Sequence, residues 1–261
     1  MATGGSNEHD LPSGARIAER IGRRGALMAW LWHEHADAEL LETHVSAQLH
    51  AACAEAIALR GRAVLALAGG RTPLPLYRRL ATSPLPWSEV TVLPTDERCV
   101  PHDHAASNLH ELTAAFAPAR DVRLPALTSP DGDPQRSEAV ARAMLARHPD
   151  AFDAVLLGMG LDGHTASLFP GAPQLDAALE PASPVAACRI DPQPLPVDAP
   201  YPRITLTVAR LLRSRSLHLL VTGADKREAL QRAIASADPH RHPIAAILHA
   251  PRALLHLHWS P

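Results

Sequence analysis

The chain has 261 residues, 46% of them hydrophobic, enough for one large α/β domain or two small ones with a sizeable core. A net charge of −2 argues against a polyanion-binding surface or an acidic tail, and an aromatic content of 3% leaves few platforms for stacking single-stranded nucleic acid. No run approaches the roughly 18 apolar residues of a membrane span, and the N-terminus has no apolar stretch after its charges that would make it a secretory signal.

Residues 1–24, with their Gly, Ser, Asn and Asp, are expected to form a flexible tail, and residues 25–261 a single domain. "ALMAWLW" (Ala26–Trp32) reads as a first strand, and the helical spacing that begins at His35 stops at Gly61. "AVLALAGG" (Ala63–Gly70) is an apolar run into glycines, as in a buried parallel strand. "TPLPLYRRLA" then begins a helix, and "VTVLPTDER" (Val90–Arg98) is a strand running into a loop. "ASNLHELTAAFA" and "QRSEAVARAMLARHP" read as helices, and "FDAVLLGMG" (Phe152–Gly160) as another buried strand. The Pro-rich "CRIDPQPLPVDAPYPR" (Cys188–Arg203) reads as a surface loop. "RITLTVARLL", "SLHLLVTG" and "ADKREALQRAIAS" give strand, strand, helix, and "RALLHLHW" (Arg252–Trp259) a last strand. Alternating strands and helices predict an α/β fold: a mainly parallel sheet with helices on both faces, a three-layer sandwich. Cys53, Cys99 and Cys188 are too scattered for a disulfide framework, so a reducing cytoplasm is the expected compartment.

Ligands of an open parallel sheet bind beyond the carboxyl ends of its strands, and the unusual loops of this chain sit there. In "AGGRTP", Thr72 before Pro73 suggests a helix cap, and the N–H groups of Gly70, Arg71 and Thr72 could cradle a phosphate near the positive end of a helix. In "TDERCVPHDH", Asp96, Glu97 and Arg98 meet at a strand end, either as a surface ion cluster or with Arg98 as a clamp for a carboxylate or developing oxyanion. His102, Asp103 and His104 lie in the same loop without a cysteine partner, and no metal is expected. Gly158, Gly160 and Gly163 match the G-x-G-x-x-G spacing of a dinucleotide turn. Pro170-Gly171 would cut short its helix, no acidic residue follows at a strand end, and Asp162 would face the pyrophosphate, so no dinucleotide cofactor is expected. Asp162 and His164 at a strand-end loop instead suit general-base chemistry. The chain's single lysine, Lys226, falls in the last such loop, "TGADK".

The motifs "AGGRTP", "TDERCVPHDHAASN", "GMGLDGHTASLFPG", "PRITLT" and "TGADK", in this order and spacing, resemble the 6-phosphogluconolactonases, relatives of the glucosamine-6-phosphate deaminases with a Rossmann-like sheet. The resemblance implies hydrolysis of 6-phospho-D-glucono-1,5-lactone without metal or organic cofactor. It implies that His164 is the general base and that Arg98 lies near the lactone. It places Gly69, Gly70, Arg71, Thr72 and Lys226 at the phosphate, and Arg203 at a basic position of the site. Relatives often carry serines where this chain has Ala68 and Arg71. The implied partner is a small sugar phosphate, with neither nucleic acid nor membrane, for a monomer or weak homo-oligomer. Two other readings stand beside it. A deaminase or isomerase of the same fold would abstract a proton with Asp96, but "DER" and "HTASLFPG" favour the lactonase. A non-catalytic sugar-phosphate-binding module would have no need of Asp162 and His164.

Overall fold

The computed structural model describes residues 15–21, 27–197, 199–251 and 254–261. In chain order its elements are β1 (Ala15–Ile21), β2 (Leu27–Glu34), α1 (Ala38–Arg60), β3 (Ala63–Leu67), α2 (Leu74–Ala81), β4 (Val90–Pro94), β5 (Asp96–Arg98), α3 (Asn108–Ala115) and α4 (Pro134–Ala146). There follow β6 (Ala154–Gly158), α5 (Leu175–Leu179), β7 (Ala187–Ile190), β8 (Arg203–Leu206), α6 (Val208–Leu212), β9 (Leu217–Thr222), α7 (Ala224–Ser236), α8 (Ala245–Leu248) and β10 (Leu254–Ser260).

A 7-stranded sheet runs in the order β1-β2-β10-β9-β6-β3-β4, parallel throughout except for β1 at its edge. Its inner strands are apolar at successive positions because both faces are covered. In β6, Ala154 and Leu156 pack with α1 and α2, while Val155 and Leu157 pack with α4 and α7. The result is an α/β, Rossmann-like three-layer sandwich. α1 shows how the sequence sets an element. The Asp37 side chain accepts a hydrogen bond from the Leu40 N–H at 2.8 Å and starts the helix; Gly61, at φ 69°, stops it. Between them Leu41, Val45, Leu49, Cys53 and Ala56 recur every three or four residues and are buried. Each fully buried Leu or Val there contributes about 1.5–3 kcal/mol.

Several segments differ from the sequence expectation. Ala15–Ile21, within the expected tail, form β1, whose backbone pairs along its length with β2. Residues 1–14 and 22–26 lie outside the described residues, as do the first two of the expected last strand. Asp96–Arg98 form not a loop but β5, which with β8 and β7 makes a small antiparallel sheet. The Cys188 end of the Pro-rich segment is strand for the same reason. After β8 the chain turns helical rather than continuing extended, because the Thr207 side chain accepts a hydrogen bond from the Arg210 N–H at 3.3 Å. At α2 the cap is Pro73, not Thr72, with no side-chain hydrogen bond to the first turn.

Candidate active site

The carboxyl ends of β3, β6 and β9, the small sheet and the start of α7 surround a cavity of about 310 Å³. Gly69, Gly70, Arg71, Thr72, Asp96, Arg98, His164, Arg203 and Lys226 all line it. Asp162 stands outside the lining, behind the imidazole.

His164 Nδ1 lies 2.6 Å from Asp162 Oδ1, and the same carboxylate oxygen accepts the His164 backbone N–H at 3.1 Å. With Nδ1 engaged, Nε2 is the ring nitrogen available to a ligand. The ring stacks on Phe169 with centroids 4.3 Å apart. Burial raises the Asp162 carboxyl, but the hydrogen bond and charge of His164 outweigh it and hold the group below its ordinary value. The glycine spacing has a local cause. A Cβ on Gly160 would lie 2.2 Å from His164 Nδ1 and 2.6 Å from Asp162 Oδ1, so a side chain there would displace the pair. Gly163 has φ 82°, which favours glycine. After Gly158 the chain makes turns, and the next helix is α5, so the strand–turn–helix of a dinucleotide site is not formed here.

Arg98 and Arg203 stand directly opposite each other in the β5–β8 register, an arrangement of like charges that costs stability. Arg98 Nη1 donates to Ala106 O at 2.8 Å, and Arg203 Nη2 donates to Ala199 O at 2.9 Å. The Nε of each is buried without a partner. Burial lowers Arg203 from its ordinary value, and Asp96 opposes that shift. Two adjacent guanidiniums with unused donors in a cavity suit an anionic or polarised oxygen. Phe169 also carries Arg203, whose Cζ sits 5.0 Å from the ring centroid, so one aromatic ring seats both the imidazole and a guanidinium. Asp96 is held by Ser167, whose Oγ donates to Oδ2, and by Thr95, whose Oγ1 donates to Oδ1 at 3.3 Å.

At the other end, Gly70 has φ 93°, and its N–H donates to Glu111 Oε2 at 3.2 Å, so this one of the three N–H groups expected to be free for a phosphate is already engaged by a carboxylate. Arg71 and Thr72 are exposed at the cavity mouth. Lys226 lies in the first turn of α7, where a cation opposes the helix dipole. Burial lowers its pKa from the ordinary value. A half-buried ammonium in that position gains from an anionic ligand.

The sequence reading missed Asn108. Its Nδ2 donates to Asp96 O at 2.7 Å, its Oδ1 is buried without a partner, and a Cβ on Gly69 would come within 2.0 Å of that Oδ1. Only glycine lets the loop after β3 lie against this amide. Ala166, which lines the cavity at φ 47°, was also missed; a strained alanine in the "HTAS" loop is not visible in residue types. Glu97 faces away and acts as an organiser: it accepts the N–H groups of Arg98 and Asn108 at 2.8 Å and of Leu109 at 2.7 Å, locking the start of α3 to β5. His102 and His104 do not converge. One pairs with Thr128 O at 3.0 Å, and the other accepts the Ala106 N–H at 3.0 Å.

The fold and site define an α/β protein with an arginine- and lysine-lined cavity and a carboxylate–imidazole pair at the carboxyl ends of its parallel strands. The family model described as glucosamine-6-phosphate isomerases/6-phosphogluconolactonase matches residues 36–259. The 6-phosphogluconolactonase of Pseudomonas putida is 37% identical over 239 residues, covering 88% of this chain and 92% of its own. That of Rhizobium meliloti is 38% identical over 227 residues, covering 86% and 94%. The crystal structure of a 6-phosphogluconolactonase from Shewanella baltica superposes with a TM-score of 0.82 at 31% identity, covering 88% of this chain and 97% of that one. The chain belongs to the glucosamine-6-phosphate isomerase/6-phosphogluconolactonase family.

Proposed function

We propose that the protein hydrolyses 6-phospho-D-glucono-1,5-lactone to 6-phospho-D-gluconate, the lactonase step of the oxidative pentose phosphate pathway. The observation that carries this reading is the arrangement of one cavity: His164, backed by Asp162 at 2.6 Å, shares it with paired arginines, the glycine loop and Lys226. The lactone's phosphate lies at Gly69–Gly70–Arg71–Thr72 and Lys226, which places C1 towards His164. Nε2 of His164 takes a proton from water as the oxygen attacks C1. Asp162 orients the ring and stabilises the imidazolium. Arg98 and Arg203 stabilise the carbonyl oxygen as its charge grows. The imidazolium then returns the proton to the ring oxygen as the C1–O bond breaks. A lactone is an activated ester, so the sequence needs no metal and no organic cofactor. Binding energy from the distant phosphate fixes the reacting carbon.

Asp96 lines the same cavity, as proton abstraction in an isomerase or deaminase requires. Its two oxygens accept hydroxyl hydrogen bonds from Ser167 and Thr95, which suits a positioning role. Freshly prepared lactone and glucosamine 6-phosphate, offered in parallel with spontaneous hydrolysis subtracted, separate the readings. Turnover of the lactone alone supports the proposal. Turnover of the amino sugar alone replaces it, and binding without turnover of either makes the protein a sugar-phosphate binder. Cys53, Cys99 and Cys188 are free thiols, in keeping with a cytoplasmic enzyme. Among the described residues no helix is long and apolar enough to cross a membrane.

A further inference from the structure

β2, β10 and β9 run parallel and side by side, and they stack imidazoles on one face of the sheet. His258 stands opposite His33 in the register of β10 with β2, and His256 opposite His218 in that of β10 with β9. His256 and His258 are two residues apart and so point to the same face. α1 covers that face with His44, whose ring lies 5.4 Å from that of His33 and 6.0 Å from that of His258. None of these residues lines the catalytic cavity.

The rings are held by one another. His33 Nε2 and His256 Nδ1 are 3.1 Å apart. His258 has both nitrogens facing other imidazoles, with Nε2 at 3.1 Å from His218 Nδ1 and Nδ1 at 3.4 Å from His35 Nε2. His218 Nε2 in turn meets Ser216 Oγ at 2.6 Å. His33, His218 and His258 are buried. Burial, reinforced by the neighbouring rings, lowers His33 to about 4 and His218 to about 3. Such a layer of nitrogen donors inside an apolar sheet serves no step of the hydrolysis.

We propose that His33, His256 and His258 bind one divalent late transition-metal ion of the zinc type, which ties β2 to β10 away from the catalytic cavity. One nitrogen from each of the three rings lies within 4.8 Å of the others. Metal–nitrogen bonds of about 2.0–2.1 Å in tetrahedral geometry separate ligand nitrogens by about 3.3 Å. The His33–His256 pair, at 3.1 Å, already stands near that separation; the His258 ring, stacked on His33 with centroids 4.6 Å apart and planes 11° from parallel, must turn out of that stack to bring a nitrogen to the ion. An all-imidazole set favours zinc, copper and nickel over magnesium or calcium. The outer layer is also in place: whichever nitrogen His258 gives to the metal, the other keeps its imidazole partner, His218 or His35, which fixes the ring's tautomer and orientation.

The test uses the full chain without an affinity tag, stripped with chelator and then freed of it. Titration with Zn²⁺ in a calorimeter is expected to show one equivalent bound. Zn²⁺ at about a hundred times its Kd should raise Tm by about 5–10 °C. His256→Gln, at a half-buried position, should abolish both effects, while His164→Gln, in the catalytic cavity, should keep both. Crystals of the unmodified protein grown with Zn²⁺ need no variant: an anomalous peak bonded to the three rings at zinc–nitrogen distance supports the site. No stoichiometric binding, binding that survives His256→Gln, or an anomalous peak elsewhere overturns it.

Discussion

Gly160→Ala probes how closely His164, the proposed base, is held. The added Cβ would lie 2.2 Å from His164 Nδ1, where ordinary contact begins at 3.4 Å, so the ring must retreat by about 1.2 Å. It cannot slide freely, because Phe169 stacks on it at 4.3 Å, and Asp162 Oδ1, at 2.6 Å from the new carbon, is crowded as well. A misplacement of about 1 Å in a catalytic group costs roughly a hundredfold in rate, or about 2.7 kcal/mol of transition-state stabilisation. The Gly69–Thr72 loop and Lys226, proposed to hold the phosphate, lie on other elements, so the affinity for 6-phosphogluconate should hold. The assay is initial-rate hydrolysis of the lactone with a blank at each point, together with product binding by calorimetry and circular dichroism to verify the fold. A folded Gly160→Ala protein that works within threefold of the parent would refute the reasoning, since the glycine would then not be making room for the pair.

Lys226→Ala should raise the product Kd about 10–150-fold, corresponding to about 1.5–3 kcal/mol for a hydrogen bond to a charged group, with little change in kcat. Because burial lowers the pKa of Lys226, the folded protein gives up this proton below the ordinary lysine value, while the unfolded chain still holds it. Between those two values product affinity should fall with rising pH and stability should rise, as calorimetry and thermal melts can follow. Asp162→Asn should cost less in rate than His164→Ala. Glu97→Gln should destabilise the fold by about 1–3 kcal/mol in a denaturant melt, because the single remaining acceptor oxygen cannot serve three backbone N–H groups.

The strands and loops that carry the cavity were legible because buried parallel strands are apolar without interruption and end in glycine. "AVLALAGG" and "FDAVLLGMG" each mark an element and the site beyond it. The small sheet was not legible. β5 has three residues, and β7 hides in a Pro-rich segment, so neither is long enough to show a period. Thr72 looked like a cap by residue type, but the helix begins one residue later, after Pro73. Asn108 matters because α3 brings it against Gly69, a contact made across the fold rather than along the chain. The histidine layer escaped notice for the same reason. Only the alternation of His256 and His258 in "HLHW" is local, and their partners His33 and His218 arrive through strand register.

The most direct measurement compares the lactonase rate of the parent protein with that of His164→Ala above matched spontaneous hydrolysis, with 6-phosphogluconate binding measured on both. The account predicts a loss of about 10²–10⁴ in the enzyme-catalysed rate with binding intact. Near-full activity in a His164→Ala protein that binds 6-phosphogluconate normally would contradict it and turn attention to Asp96.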